Sequence, residues 1–146
     1  MIKLNVIAVG KLKEKFWVDA VNEYIKRISR FAEINVIQID EERTLMREGE
    51  EILRKAKGLK VVTDIKGKPI DSPGIAELIS DASNKGTSEI SFIIGSSEGL
   101  CDKVKQAADI RISFGAVTYP HQLMRVILCE QLYRAMTIIN KITYHK

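Results

Sequence analysis

Five short apolar runs separated by segments of helical period constrain this chain more than any other feature. The runs fall at residues 4–9, 34–39, 60–65, 90–94 and 110–114 and are rich in Val and Ile. Between the first two, Phe16, Trp17, Ala20, Val21, Tyr24, Ile25 and Ile28 recur at helical spacing, which predicts an amphipathic helix over 14–31. Further helices are predicted over 45–57, from Ser72 to about 84, over 102–108, and from about 120 to 140. Ser72 before Pro73 reads as an N-cap with proline in the first turn. Lys66-Gly67-Lys68-Pro69 reads as a turn that ends the third strand. Parallel strands covered on both faces read as near-continuous apolar runs, and strand–helix alternation is the pattern that builds them. The expected class is therefore α/β, a mostly parallel sheet with helices on both faces.

The length of 146 residues suits one domain, residues 1–146, with a core of its own. No apolar stretch reaches the roughly 18 residues of a membrane span, and residues 1–6 lack the apolar core of a signal peptide. Cys101 and Cys129 have no metal-type spacing and make no disulfide scaffold, so a reduced cytoplasm is expected. The charge is sorted. From Arg111 to Lys146 there are five basic residues and one acid, a net +4 that equals the charge of the whole chain. Such an end suits an anionic partner.

In parallel α/β sheets, ligands lie beyond the carboxyl ends of the strands. Two loops are placed there. Gly95-Ser96-Ser97-Glu98-Gly99 follows the fourth run, and its glycines allow backbone N–H groups close to a ligand. In isolation it reads equally well as a tight turn, and it is neither G-x-G-x-x-G nor a Walker loop. Phe114-Gly115-Ala116-Val117-Thr118-Tyr119 is uncharged and follows the fifth run. It suits backbone hydrogen bonds to an adenine edge with apolar walls for the ring, or else it is a buried connector.

The last helix is apolar around most of its circumference, which predicts burial on several sides, partly by a second copy of the chain. Arg125 lies among Met124, Val126 and Ile127 and is expected to meet an anion: a ligand carboxylate, an RNA phosphate, or an acid on another element. Glu130 and Arg134 form an i,i+4 pair worth only about 0.3 kcal/mol if exposed. His121 and His145 lack the companions of a metal site, and none is expected. Tyr144-His145-Lys146 combines an aromatic with two potential cations, a set that can stack on a base and hold phosphates, or forms a bland tail.

Together these residues resemble the RlmH family, the ribosomal RNA pseudouridine N3-methyltransferases of the SPOUT superfamily. The marks are Ile7-Ala8-Val9-Gly10, Asp64-Ile65-Lys66-Gly67-Lys68-Pro69, the Gly95–Gly99 loop, Thr118-x-Pro-His121-x-Leu-x-Arg125, Glu130-x-Leu-Tyr-Arg134-Ala and Tyr144-His145-Lys146. The resemblance implies a C-terminal trefoil knot, S-adenosylmethionine as cofactor, a homodimer, and a pseudouridine of the large ribosomal subunit RNA as substrate. By position it puts cofactor contacts on Thr63, Gly95, Phe114, Gly115, Ala116, Val117, Thr118 and Tyr119. The family pattern has a second glycine where Ser96 stands, an apolar residue at Thr63 and commonly serine at Gly115.

Methyl transfer from a sulfonium is dominated by positioning, and the proton on pseudouridine N3 must leave. His145, Glu130 and water are the candidate acceptors. Arg125 and Arg134 are expected to place phosphate or stabilise charge on the uracil oxygens, with Tyr144 completing the catalytic set. Arg125, Arg134, Tyr144, His145 and Lys146 are the expected RNA contacts. The rival reading is a non-catalytic basic RNA-binding module. A Rossmann dehydrogenase is disfavoured because its glycine fingerprint is absent.

Overall fold

The computed structural model describes all 146 residues. Five parallel strands form one sheet in the order β2-β1-β4-β3-β5. The strands are β1 (Lys3–Val9), β2 (Glu33–Ile39), β3 (Leu59–Pro69), β4 (Glu89–Ile94) and β5 (Ile110–Ser113), and the helices are α1 (Lys15–Ile28), α2 (Leu45–Lys55), α3 (Ser72–Asn84), α4 (Asp102–Ala107) and α5 (His121–Ile139). The expected strands and helices all form, with ends shifted by a few residues.

Alternation along the strands divides the core in two. Leu4, Val6, Ala8, Ile90, Phe92 and Ile94 point to the face covered by α1, α3 and α5. Ile7, Val9, Val62 and Ile93 point to the opposite face, against Ile52 of α2 and Val104 of α4. Helices thus cover both faces, as a buried parallel sheet requires.

Two local expectations are corrected. The N-cap of α3 is Asp71, whose carboxylate accepts from the Gly74 N–H at 2.8 Å. Ser72 is the first helical residue and donates to Gln131 of α5 at 2.6 Å. An aspartate one residue upstream outcompetes the serine because it carries charge at the positive end of the helix. The third strand also runs past the expected turn. Ile112 of β5 pairs with both Thr63 and Lys68, so residues 64–67 leave the ladder and the strand resumes to Pro69. Gly67 permits this, since a Cβ there would stand 2.9 Å from the backbone of Arg111 and Ile112.

Helix α5 lies between α1 and α3 under the middle of the sheet. Arg125, Leu128, Cys129, Leu132, Ala135 and Met136 form its buried side. Its opposite side carries Leu123, Ile127, Glu130 and Arg134, all half-buried. The helix ends at a reversal in which Lys141 takes φ +57° and the Ile142 N–H returns to the Thr137 carbonyl at 2.9 Å. This is a Schellman-type stop with lysine in the place glycine prefers. It folds the last residues back along the helix.

Candidate active site

The carboxyl ends of β3, β4 and β5 and the first turn of α5 enclose a cavity of about 730 Å³. Seven of the eight expected cofactor residues line it: Thr63, Gly95, Phe114, Gly115, Val117, Thr118 and Tyr119; Ala116 is not among its walls. Asp64, Ile65, Lys66, Leu100, Lys105, His121 and Met124 also line it and were not assigned to a cofactor from sequence. Ile65, Val117 and Tyr119 are among the few large apolar side chains left exposed, at 55%, 67% and 37%. Their grouping around one cavity is the kind of apolar exposure that marks a ligand site. A larger cavity of about 820 Å³ lies between α3 and the β3–β5 edge. It holds none of the expected site residues, and it lies away from the strand ends where the loops converge.

The geometry of both loops is set by glycine. A Cβ on Gly95 would stand 2.5 Å from the Gly99 carbonyl oxygen, so Gly95 is required for the loop to fold back on itself. Gly99 closes the turn with φ +91° and an N–H bond to the Ser96 carbonyl at 2.8 Å. The Ser96 hydroxyl accepts from the Glu98 N–H at 3.3 Å, so the serine in the second glycine position helps to hold the turn. In the other loop, Gly115 has φ +108° and its N–H bonds to the Ser113 hydroxyl at 3.1 Å. The Thr63 hydroxyl donates to the Ile93 carbonyl at 2.9 Å, so its polar atom is satisfied within the sheet.

Arg125 departs from expectation. It is 1% exposed, and its Nη2 donates to the carbonyl oxygens of Val9 at 3.3 Å and Gly10 at 3.0 Å, while Nε has no partner. No carboxylate pairs with it. Burial holds its guanidinium below the usual arginine value. The charge rests on the carbonyl ends of β1, so the expected anionic partner is replaced by backbone dipoles. Arg125 is not presented to an external phosphate in this chain; it ties the first turns of α5 to the end of β1. A second tie is the Lys13 N–H, which donates to the Gln122 side chain at 3.0 Å.

The remaining predicted residues assemble at the other end of α5. Glu130 accepts from Arg134 Nε at 3.4 Å, Arg134 Nη2 at 2.9 Å and the Tyr144 hydroxyl at 2.8 Å. Arg134 Nη1 lies 3.2 Å from His145 Nδ1. Because guanidinium only donates, that ring nitrogen accepts, and the proton of a neutral His145 is on Nε2. The Arg134 guanidinium stacks 4.7 Å from the Tyr144 ring centroid, and Tyr144 meets the Tyr133 ring edge-on at 4.7 Å. Burial, then the bond to Glu130, pushes the Tyr144 hydroxyl up to about 12. It stays protonated near neutral pH and acts as a donor. The pair Glu130–Arg134 is only 18% and 25% exposed, so it is better shielded than the exposed pair expected from spacing alone. Tyr144 and His145 fold back onto α5, a contact that no local sequence pattern announces. Lys146 is exposed.

One protomer therefore brings the cofactor residues together at one end of α5 and the basic, aromatic residues together toward the other. From His121 to Arg134 the helix rises about 20 Å. The two groups do not meet within one chain. No cluster of metal-binding side chains is present, and no helix is long and apolar enough to cross a membrane.

Comparisons with known proteins agree with this architecture. Residues 2–145 match the family described as "Predicted SPOUT methyltransferase". The ribosomal RNA large subunit methyltransferase H of Carboxydothermus hydrogenoformans is 41% identical over 159 aligned positions, covering 99% of this chain and all of that protein. That of Streptococcus gordonii is 42% identical with the same coverage. Among solved structures, the tRNA (m1G37) methyltransferase of Aquifex aeolicus superposes with a TM-score of 0.54 at 14% identity, over 90% of this chain and 69% of that one. A probable methyltransferase from Bordetella pertussis Tohama I gives 0.60 at 13% identity, over 92% and 95%. At such identities the solved structures speak for the fold alone. With a family match along nearly its whole length and full-length relatives above 40% identity, the chain belongs to the SPOUT methyltransferases, in the ribosomal RNA large subunit methyltransferase H family.

Proposed function

We propose that this protein is an S-adenosylmethionine-dependent methyltransferase that modifies N3 of a pseudouridine in the RNA of the large ribosomal subunit. The observation that carries this reading is the convergence of three loops on one cavity of about 730 Å³, a size suited to a small-molecule cofactor. The walls fit the cofactor. Ile65, Leu100, Val117 and Tyr119 offer apolar surface, the Gly95 and Gly115 loops offer backbone polar groups, and Lys66 and Lys105 offer charge for a carboxylate. When bound, S-adenosylmethionine supplies a methyl group already activated by its sulfonium. The chain's contribution is to fix that group's direction and to bring the target base against it.

The enzyme acts as a homodimer, each subunit a single domain over 1–146, with its C-terminal part threaded as a trefoil knot, in the cytoplasm. The outward face of α5 supports the dimer. Leu123 and Ile127 are half-exposed there and are absent from the apolar side chains packed on the core. Ile138 and Ile139, also apolar and on the same helix, pack instead against their own core. Two α5 helices crossing antiparallel near Ile127 would bring the tail group of one subunit toward the cavity of the other. A two-fold interface repeats every contact, so both sites would be completed at once.

In that arrangement Arg134, His145 and Lys146 hold RNA phosphate or the uracil oxygens, and Tyr144 backs them. Glu130 is saturated as an acceptor, which leaves it poorly suited to take the N3 proton. His145 can take it only by releasing Arg134, because its lone pair faces that guanidinium. Water is the remaining acceptor. The test is direct: purified protein, labelled S-adenosylmethionine and large ribosomal subunits lacking the modification, followed by mapping of the methylated nucleotide. Label on a pseudouridine N3 is the expected result. Tight RNA binding without cofactor affinity would instead favour a non-catalytic binding module.

A further inference from the structure

We infer that Lys11 and Lys13, on the loop joining β1 to α1, form with Lys66 and Lys105 a phosphate-gripping rim around the mouth of the cofactor cavity, separate from the basic tail. The inference rests on the RNA-directed reading above. Lys66 and Lys105 line the cavity itself. Two contacts bring the backbone of Lys11 and Lys13 beside the same wall. The Lys13 N–H bonds to Gln122, the neighbour of His121 in the cavity wall. Gly10, which precedes Lys11, lies against His121, whose Nε2 would stand 3.6 Å from a Cβ on that glycine. Lys11, Lys13 and Lys66 are exposed, and none of the four lysines takes part in an ion pair.

Three acids come near. Glu98 is exposed between Ser97 and Gly99, which line the cavity, and has no ion pair. Asp64 also lines the cavity but is engaged by Arg111 at 3.8 Å. The Glu41 carboxylate approaches Gly10, its Oε1 3.0 Å from the position of a Cβ there. Four free ammonium groups against the two free carboxylates of Glu41 and Glu98 leave the mouth positive. A cofactor carboxylate needs one such charge. The others face outward around an opening that must admit a nucleotide, and the polymer that carries that nucleotide has a phosphate on either side of it. Phosphate contacts of this kind set register and carry no sequence information. The rim would fix where the backbone crosses the cavity, and the tail would hold the extruded base.

The test uses the full-length double variant Lys11→Ala, Lys13→Ala. Alanine keeps the Lys13 backbone bond to Gln122, so the loop stays tied. Binding to purified large ribosomal subunits is followed by co-sedimentation across a salt series, with methyl transfer and S-adenosylmethionine calorimetry alongside. Each lost phosphate contact flattens the slope of log affinity against log salt by about 0.7–0.9. The double variant should lose about 1.4–1.8 of slope and bind subunits about tenfold more weakly at moderate salt. Cofactor affinity and the rate at saturating subunits should be unchanged. Lys57→Ala with Lys85→Ala, at the amino ends of β3 and β4 and so at the opposite end of the strands, should leave the slope intact. An unchanged slope in the rim variant would overturn the inference, and so would an equal loss in the control pair. Weakened cofactor binding would also overturn it by assigning the lysines to the cofactor. A wild-type protein with the expected salt slope and no methyl transfer would break the enzymatic reading and leave the rim standing.

Discussion

The two ends of α5 solve opposite problems. At its first turn the helix borders a cavity whose walls are loops, exposed apolar side chains and glycine-shaped backbone. Toward its last turns Glu130, Arg134, Tyr144 and His145 bind one another in a closed network. The open end has exposed apolar surface on loops whose bonds are made within their own backbone and to the sheet, which is how a binding site is kept available. The closed end has its charges already paired, so its use on RNA requires exchanging internal partners for external ones. Substitutions in the cavity walls should therefore change cofactor affinity, and those at the closed end should change transfer.

The largest effect is expected at Gly95. Gly95→Val places a branched side chain where Cβ alone would meet the Gly99 carbonyl oxygen at 2.5 Å. The Ser96–Gly99 turn must open, and the cavity loses a wall. Calorimetry should show S-adenosylmethionine affinity reduced at least 100-fold, while circular dichroism keeps the signature of the sheet and helices, most of which lies outside the loop. Retained affinity would place the cofactor somewhere other than this cavity.

Next is the closed end. A chain stopped at Thr143 loses the Tyr144 bond to Glu130, the edge-on contact with Tyr133 and the stacking of Arg134. These contacts raise the cost above the small loss expected of a free tail, to about 1–3 kcal/mol of stability. Methyl transfer to ribosomes should fall by at least 100-fold with cofactor affinity within threefold. Loss of cofactor binding as well would mean that the two ends are not separable.

Arg125 lies under the open end, and its effect should be smaller. Arg125→Met removes a buried cation that has no carboxylate partner, so stability should change by less than about 2 kcal/mol. The tie between α5 and the carbonyls of Val9 and Gly10 is lost, and the first turn of the helix can shift. Cofactor affinity should weaken about tenfold, and amide exchange over 115–121 should quicken. A selective loss of RNA binding instead would return Arg125 to the substrate.

Legibility from sequence follows the same division. Strand and helix periods are local, and they place every element and both loops. Seven of eight expected cofactor residues converge because in a parallel sheet the carboxyl ends of neighbouring strands are close whatever the loops contain. Arg125 was misread because sequence shows that an arginine is buried but not that strand-end carbonyls await it. Lys105 was missed because a lysine on a short helix carries no mark of which cavity it faces. The Tyr144 fold-back was missed because it depends on Lys141 entering the left-handed region, a conformation few sequences announce without glycine. The extension of β3 depends on Gly67 meeting the β5 backbone, a long-range contact outside any local period.

The finest test of the contrast is the state of the Tyr144 hydroxyl. Its folded value of about 12 exceeds the ordinary 10, chiefly through burial and then through the bond to Glu130. A raised value means that the folded chain keeps a proton the unfolded chain has lost between pH 10 and 12. The resulting stability is complete below pH 10 and disappears as pH climbs toward 12. Ultraviolet titration should show one of the four tyrosines ionising last, and Tyr144→Phe should delete that phase and flatten the alkaline fall in melting temperature. At neutral pH the phenylalanine ring keeps its contacts with Tyr133 and Arg134, so the loss should be about 0.5–1.5 kcal/mol, one hydrogen bond. Glu130 then has one donor fewer and Arg134 is held less firmly. If the network restrains Arg134 and His145 until RNA arrives, methyl transfer should stay within about threefold of wild type. A large loss would instead give the hydroxyl a direct part in the reaction, and the closed end would be a catalytic arrangement already assembled.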